Sequence, residues 1–545
     1  MARFVVDPDG VITTQVPGDQ TWFQWLLVHA EYSVRHFSDP FFSTRQNAPD
    51  GVNMMANTSV LGVTVPLVPL TAWFGPRVVY VVWMVGALAG TAATAYWVLQ
   101  RHLVRSRPAA FVGGLFAGFA PGVVHHANGQ PNHVSNFLIP LIVARVLRLG
   151  GCGRWVRDGL LLAGLVTWQV FINEETLLIA ALACGVAMIA YVVAEPRRVR
   201  ERGARFLGAL TVTGVVTGAL CAYPLWFQFV GPLTFTGVPL FATWGEDPAA
   251  WLAFARDTIG GGDDAVDRTL GITEQNGWFG WPLVLLTPVL AAMLRRTTAG
   301  LVAGMTGVVF ALASLGPVIR FAGQETAWPG PLFFVTAETP LLNLMTPGRF
   351  AYAVVGCVAV LLALGWDRLR VPRPGLWRLA IVAALYPLLP TPLLAQVDSP
   401  PPVFISSGAW RPYVRPGHTM VPVPLPSGWS GRDTLSWSAA TGQEFAVPEG
   451  YFLGPSDSGE AQLGASGSRL SYLVWRALSD GRAPEITADD VAVIDREIQR
   501  WNGSVVVMRA GYEPLRELLD SVLGSGNAVQ DVWLWDLRAV ESGRS

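Results

Sequence analysis

The residues able to do chemistry are few, and they sit in short polar stretches beside long apolar ones. Asp19 stands in VPGDQTWFQWLLVHAEYSVRH, Asp39 in HFSDPFF and Asp50 in APDG. The stretch GVVHHANGQPNHVSNF (122–137) holds His125, His126, Asn132 and His133. FINEETLL carries Glu174 and Glu175, GITEQNGWFGWP carries Glu274, and LMTPGRFAY carries Arg349. A positioned carboxylate can take a proton from a hydroxyl group. Two adjacent ones can hold a cation or a sugar hydroxyl, and an arginine can grip an anionic oxygen through charge-assisted hydrogen bonds.

Each group also has a plainer reading. Asp19 precedes a helical pattern and can cap it. Asp39 and Asp50 lie in Asp-Pro and Pro-Asp-Gly turns. Glu174 and Glu175 suit a helix N-terminus, and Arg349 can snorkel from the mouth of a span. The three histidines lack the cysteine or HExxH partners of a zinc site, so their loop reads equally as a polar, proton-accepting or sugar-binding segment. The four cysteines, Cys152, Cys184, Cys221 and Cys357, support neither a disulfide framework nor a metal site.

The elements that must position these groups belong to a membrane. Only 14% of the 545 residues are charged and 51% are hydrophobic, against about 25% charged in soluble domains. Ten apolar windows predict membrane helices: 78–99, 109–125, 133–149, 158–172, 175–194, 206–224, 278–294, 299–318, 350–366 and 376–395. All basic residues are arginine, and their distribution alternates. One set of loops holds 18 arginines, whereas the opposite set holds Arg256, Arg268, Arg320 and Arg349. Arginine excess marks the cytoplasmic side, so His126, Glu174 and Glu274 are expected on the outer face. The tail from 397 and the arm 1–77 are expected there too. No span precedes the arm, which predicts a further transmembrane helix upstream of Met1.

Within the arm, NAPDGVNMMANTSVLGVTVPLVPLTAWFG (47–75) runs from a polar loop into an apolar stretch broken by Pro66 and Pro69. It is too short to span and reads as an interfacial helix, with Asp50, Asn53 and Asn57 facing a cavity above it. Trp22, Phe23 and Trp25 suit a second helix lying at the interface. The tail has strand-like runs in PVFISSG, TMVPVPLP and SVVVMRA and helical patterns at 487–501 and 511–523, hence a small α/β layer. The expected organisation is an outer first loop (1–77), a transmembrane unit of about ten helices (78–396) and a soluble α/β domain (397–545).

In this order of parts, an acidic residue opens an outer loop, two interfacial helices follow, and a span ends in LQRHL. The chain thereby resembles the GT-C class of integral membrane glycosyltransferases, of the protein mannosyltransferase and aminoarabinose transferase type, in a bacterial branch marked by GDQTWFQW, PDGVNMMANTS, FINEETLL, SLGP and TPGRFA. The likeness covers residues 15–395. It implies an all-α polytopic membrane protein, a GT-C-like helical bundle, carrying a C-terminal extracytoplasmic α/β domain in a bacterial plasma membrane. It also implies inverting transfer of a sugar from a polyprenyl-phosphate donor to a glycan, lipid or protein acceptor, with no nucleic-acid partner.

Asp19 matches the catalytic aspartate of that family's first loop, and Asp39 is the fallback base. Asn53, Asn57, His126, His133, Glu174, Glu175 and Glu274 are expected to bind substrate, and Arg349 to contact the lipid phosphate. A divalent cation, Mg or Mn, near Glu174 and Glu175 is the alternative source of positive charge. The chain departs from the family in lacking the first span and in having Gln20 where relatives often have Pro. The rival reading is a transport, flippase or scaffold protein of envelope glycan assembly.

Overall fold

The computed structural model describes residues 1–149, 151, 153–331, 339, 341–369, 372–427, 431–465 and 467–537. Cys152 and part of the 319–349 loop lie outside them. Each of the ten apolar windows falls on helix, but the helices differ in length from the windows. Among the described residues four are long and apolar enough to cross a membrane: Leu61–His102, Glu174–Ala194, Pro196–Val230 and Pro347–Arg368. Gly280–Leu294, Thr298–Ala313 and Pro374–Leu388 are apolar but shorter.

The windows 109–125 and 133–149 depart most from expectation. The first is the helix Arg107–Phe119, then the separate turn Pro121–His126. The second is Pro131–Val134 and Ile139–Arg148. A 13-residue helix is about 20 Å long, well short of the roughly 30 Å hydrocarbon core. Prolines at 121, 131 and 140 each begin a new turn, because proline fits the first turn of a helix and breaks its interior. The chain is therefore folded into short segments over 120–138, and the histidine loop is built from them.

The arm is packed into the protein. Strand Val11–Thr13 pairs antiparallel with Ala395–Val397, just after the last apolar helix, and Arg77 joins Asp398 at 2.7 Å. The helix Pro17–His36 does not present its aromatic face to lipid as expected. Trp25 and Leu27 are fully buried, and the helix lies against Leu61–His102 on one side and Arg432–Ala440 on the other. The Trp25 indole donates to Ser438 Oγ at 3.3 Å, and Gln443 donates to the Trp25 carbonyl at 3.2 Å. The helix Leu61–His102 is interrupted at Gly75, whose φ of 76° and ψ of 163° are non-helical. The 61–74 half exposes Val65, Trp73 and Phe74, as an interfacial helix would.

The tail forms a four-stranded sheet in the order Asn527–Val529, Val532–Asp536, Gly503–Arg509, Thr419–Val423. Gly503–Arg509 runs parallel to Thr419–Val423 and antiparallel to Val532–Asp536. On one face Val421, Val506, Leu473, Ile494 and Leu518 form a core with Arg469–Asp480, Ala488–Arg500 and Glu513–Leu523. On the other, Val505 and Val507 meet Phe404, Trp437 and Phe445. PVFISSG, expected as a strand, contains the helical turn Val403–Ser406 instead. Its free Val403 and Phe404 N–H groups donate to the Asp531 carboxylate at 2.7 and 3.1 Å, a long-range cap that overrides the β-branched pattern.

Candidate active site

Asp19 lies in the first turn of Pro17–His36, yet it does not cap that helix. Its Oδ1 accepts from the Tyr451 hydroxyl at 2.5 Å, and its Oδ2 accepts from Gln130 Nε2 at 2.8 Å. Tyr451 reaches it because residue 18 is glycine: a Cβ there would stand 2.7 Å from Arg432 Cδ and 2.9 Å from Tyr451 Cε2. Arg432 has no carboxylate partner among the described residues, and the charges of Arg349 and Arg432 both act on Asp19. Burial raises the proton affinity of Asp19, and the Tyr451 and Gln130 hydrogen bonds offset only part of that rise.

From Asp19 a continuous polar chain leads to Arg349. Gln130 Oε1 lies 2.6 Å from His126 Nδ1, and His126 Nε2 lies 2.7 Å from Asn276 Oδ1. Asn276 Nδ2 donates to Glu274 Oε2 at 2.8 Å. Arg349 then donates from NH2 to Glu274 Oε1 and from NH1 to Glu175 Oε2, both at 2.6 Å. The segment 272–278 can press on Pro121–His126 because Gly122 has no side chain; a Cβ there would be 2.7 Å from Asn276 Cα. His125 fixes the same approach, with Nδ1 2.7 Å from Asp257 Oδ2 and Nε2 2.8 Å from the Ile272 carbonyl.

The two glutamates of the 246–276 stretch differ. Burial would raise Glu274, but the Arg349 cation and His126 outweigh it and bring it down to about 2. Burial pushes Glu246 up to about 8, although its Oε1 accepts from the Asn276 and Gly277 N–H groups, both at 3.0 Å.

The structure thus brings Asp19, His126, Glu274, Glu175 and Arg349 into one network, with His133 beside it. His133 Nε2 is 4.0 Å from Glu175 Oε2, and its ring stands next to those of His126 and Tyr352. Other candidates lie elsewhere. Asp39 is exposed and its carboxylate accepts from the Phe41 N–H at 2.8 Å. Asp50 pairs with Arg500 at the surface. Asn53 donates to the Phe227 and Pro232 carbonyls. Asn57 exchanges hydrogen bonds with the Leu453 backbone at 2.8 and 2.6 Å. Both asparagines are buried and clamp the arm to other elements.

Arg349, expected to meet a lipid phosphate, is held between the Glu175 and Glu274 carboxylates. Glu174 and Glu175 do not converge: Glu174 accepts from Gln228 at 2.7 Å while Glu175 turns to Arg349. Among the described residues no group of three or more His, Cys, Asp and Glu has the arrangement of a metal site.

Gln130, Asn276, Glu246, Tyr352, Arg432 and Tyr451 belong to the site and are not singled out by sequence reasoning. Gln130 and Asn276 lie inside the polar stretches that are. Glu246 sits in WGED, and Tyr451 and Arg432 carry no local signal at all.

No family model matches the chain, and no curated protein matches it. Solved structures do. ArnT from Cupriavidus metallidurans bound to undecaprenyl phosphate aligns over 98% of this chain and 95% of its own, at 10% identity and a TM-score of 0.47. The Archaeoglobus fulgidus oligosaccharyltransferase in complex with Zn and sulfate aligns over 89% of this chain, at 13% identity and a TM-score of 0.49. The aligned region is 63% of that archaeal chain. The archaeal oligosaccharyltransferase AglB from Archaeoglobus fulgidus in complex with an inhibitory peptide and a dolichol-phosphate aligns over 90% of this chain and 65% of its own, at 13% identity with a TM-score of 0.44. At such identities none of these matches assigns a role to a residue of this chain.

Proposed function

We propose that this protein is a GT-C-type membrane glycosyltransferase that transfers a sugar from a polyprenyl-phosphate donor to a hydroxyl-bearing acceptor, with inversion, at the outer face of a bacterial plasma membrane. The observation that carries the reading is the state of Asp19. It is a half-buried carboxylate held on both oxygens by neutral donors, Tyr451 and Gln130, with no cation bound to it. Such a group is oriented yet retains affinity for a proton, which is what a general base needs.

In the proposed step Asp19 takes the acceptor proton, the acceptor oxygen bonds to the sugar C1, and the C1–O bond breaks. The electron pair leaves with the polyprenyl phosphate. Positive charge on that phosphate lowers the barrier, and of the two arginines whose charge acts on Asp19, Arg432 supplies it better than Arg349, because Arg349 is paired with two carboxylates and Arg432 with none among the described residues. Glu274, Glu175 and Arg349 would brace the wall that carries His126 and His133. The C-terminal α/β unit is then extracytoplasmic and completes the site through Tyr451 and Arg432.

The test is reconstitution of the full chain in lipid with a panel of polyprenyl-phosphate sugars, following release of polyprenyl phosphate. Acceptor-dependent release supports the proposal. Binding or movement of the donor across the bilayer with no release, across the panel, contradicts it.

A further inference from the structure

The hydrogen bonds between Asp19 and His126 constrain each other. The amide of Asn276 has a fixed sense, because its Nδ2 donates to Glu274, which Arg349 keeps ionised. Its Oδ1 therefore faces His126 Nε2, and that nitrogen must carry a proton. On the other side of the ring the sense depends on Asp19. When Asp19 is a carboxylate, Gln130 Nε2 donates to it and Gln130 Oε1 faces His126 Nδ1, which must then be protonated as well. When Asp19 carries a proton on Oδ2, Gln130 must accept it with Oε1. Its amino group then turns to His126 Nδ1, which must be bare. An amide presents one donor side and one acceptor side, so it cannot serve both protons at once.

We infer that Asp19 and His126 hold one proton between them across Gln130: a carboxylate facing an imidazolium, or a carboxylic acid facing a neutral imidazole, the proton leaving one group and reaching the other through solvent while the Gln130 amide makes a half-turn. His126 is thus a positioning residue for Asp19, acting through Gln130, and the base-competent carboxylate is the state with His126 doubly protonated. The catalytic meaning of the pair rests on the proposed transfer reaction, whereas the coupling itself does not. The other charged and titratable groups facing the pair are Glu274, 3.8 Å from His126 Nε2, the His133 and Tyr352 rings, Arg349, and, around Asp19, Tyr451, Tyr80 and Arg432. Burial works against the imidazolium and lowers the proton affinity of His126, Glu274 favours the charged form, Arg349 opposes it, and all three stay in place in either state.

The test is the 15N spectrum of the histidine-labelled full-length protein in nanodiscs, with His126 assigned by its loss in His126→Gln. In the wild-type protein at neutral pH, both His126 nitrogens are expected in the protonated range. In Asp19→Asn, Tyr451 holds Oδ1 and the new amino group claims Gln130 Oε1, so Nδ1 of His126 is expected to become unprotonated. Gln130→Met, which keeps both titrating groups and removes the amide, is expected to do the same. A His126 signal that is identical in the wild type and in either folded variant overturns the coupling. Sugar transfer plays no part in this readout, so a failed glycosyltransferase assay leaves it intact. Where transfer is measurable, His126→Gln removes a neighbouring cation and should move the acid limb of the pH–rate profile up by about one unit. A purely structural role would lower the rate without moving that limb.

Discussion

Asp19 and Arg349 stand at opposite ends of one network of hydrogen bonds, and they are opposites in chemistry as well. Asp19 is held by a phenol and an amide, both neutral, from two distant parts of the chain. Arg349 is enclosed by the carboxylates of Glu274 and Glu175. A group held by neutral dipoles stays oriented without losing its appetite for a proton. A charge between two opposite charges is largely neutralised and becomes part of the scaffold. The contrast separates the group that can react from the group that braces the site.

The largest effect on stability is expected where the bracing is removed. Arg349→Met leaves the buried Glu274 carboxylate and the half-buried Glu175 carboxylate without their cation, and breaking a buried pair costs about 3–5 kcal/mol. Thermal unfolding of the purified variant should show it, and a melting temperature close to wild type would break the contrast at the Arg349 end. At the other end Tyr451→Phe keeps the ring but removes one hydrogen bond to the carboxylate, for which a loss of about tenfold in transfer rate is expected, with little change in melting temperature.

Glu246 sharpens the comparison through pH. Its folded-state pKa of about 8 lies above the ordinary 4.5, so its contribution to stability is full below 4.5 and is lost as pH rises through 8. Glu274 has the opposite sign. Its folded value of about 2 makes its contribution present above 4.5 and lost as pH falls toward 2. Glu246→Gln can still accept from the Asn276 and Gly277 N–H groups, so the stability decline between pH 5 and 8 should flatten relative to wild type. An unchanged slope would mean that Glu246 ionises normally. The smallest effect is expected at Asp39, which is exposed and makes a local turn: Asp39→Ala should stay within about 0.5 kcal/mol of wild type and transfer at an unchanged rate.

The helical windows and the α/β order of the tail were legible because burial and periodicity are local properties. Where the windows missed, at 109–125 and 133–149, the signal was also local, since Pro121, Pro131 and Pro140 are in view. The site divides differently. Asp19, His126, Glu274 and Glu175 stood out as ionisable groups beside apolar spans. Their partners did not: Gln130 and Asn276 lie four and two residues from His126 and Glu274 but are neutral amides, and Tyr451 is 432 residues from Asp19 and carries no signal until the chain folds. The same blindness explains Arg349, which looks like a lone outer cation when Glu175 and Glu274 are far off in sequence. It explains the Pro17–His36 helix too: its aromatic face meets Ser438 and Gln443 in a distant domain, not lipid.

The central claim is that Asp19 is the base for transfer from a lipid-linked sugar. It is tested most directly by comparing Asp19→Asn with wild type, both reconstituted in lipid, for acceptor-dependent release of polyprenyl phosphate. The account predicts a loss of about 10²–10⁴-fold with an unchanged melting temperature. A folded Asp19→Asn protein that releases the phosphate at the wild-type rate would contradict it.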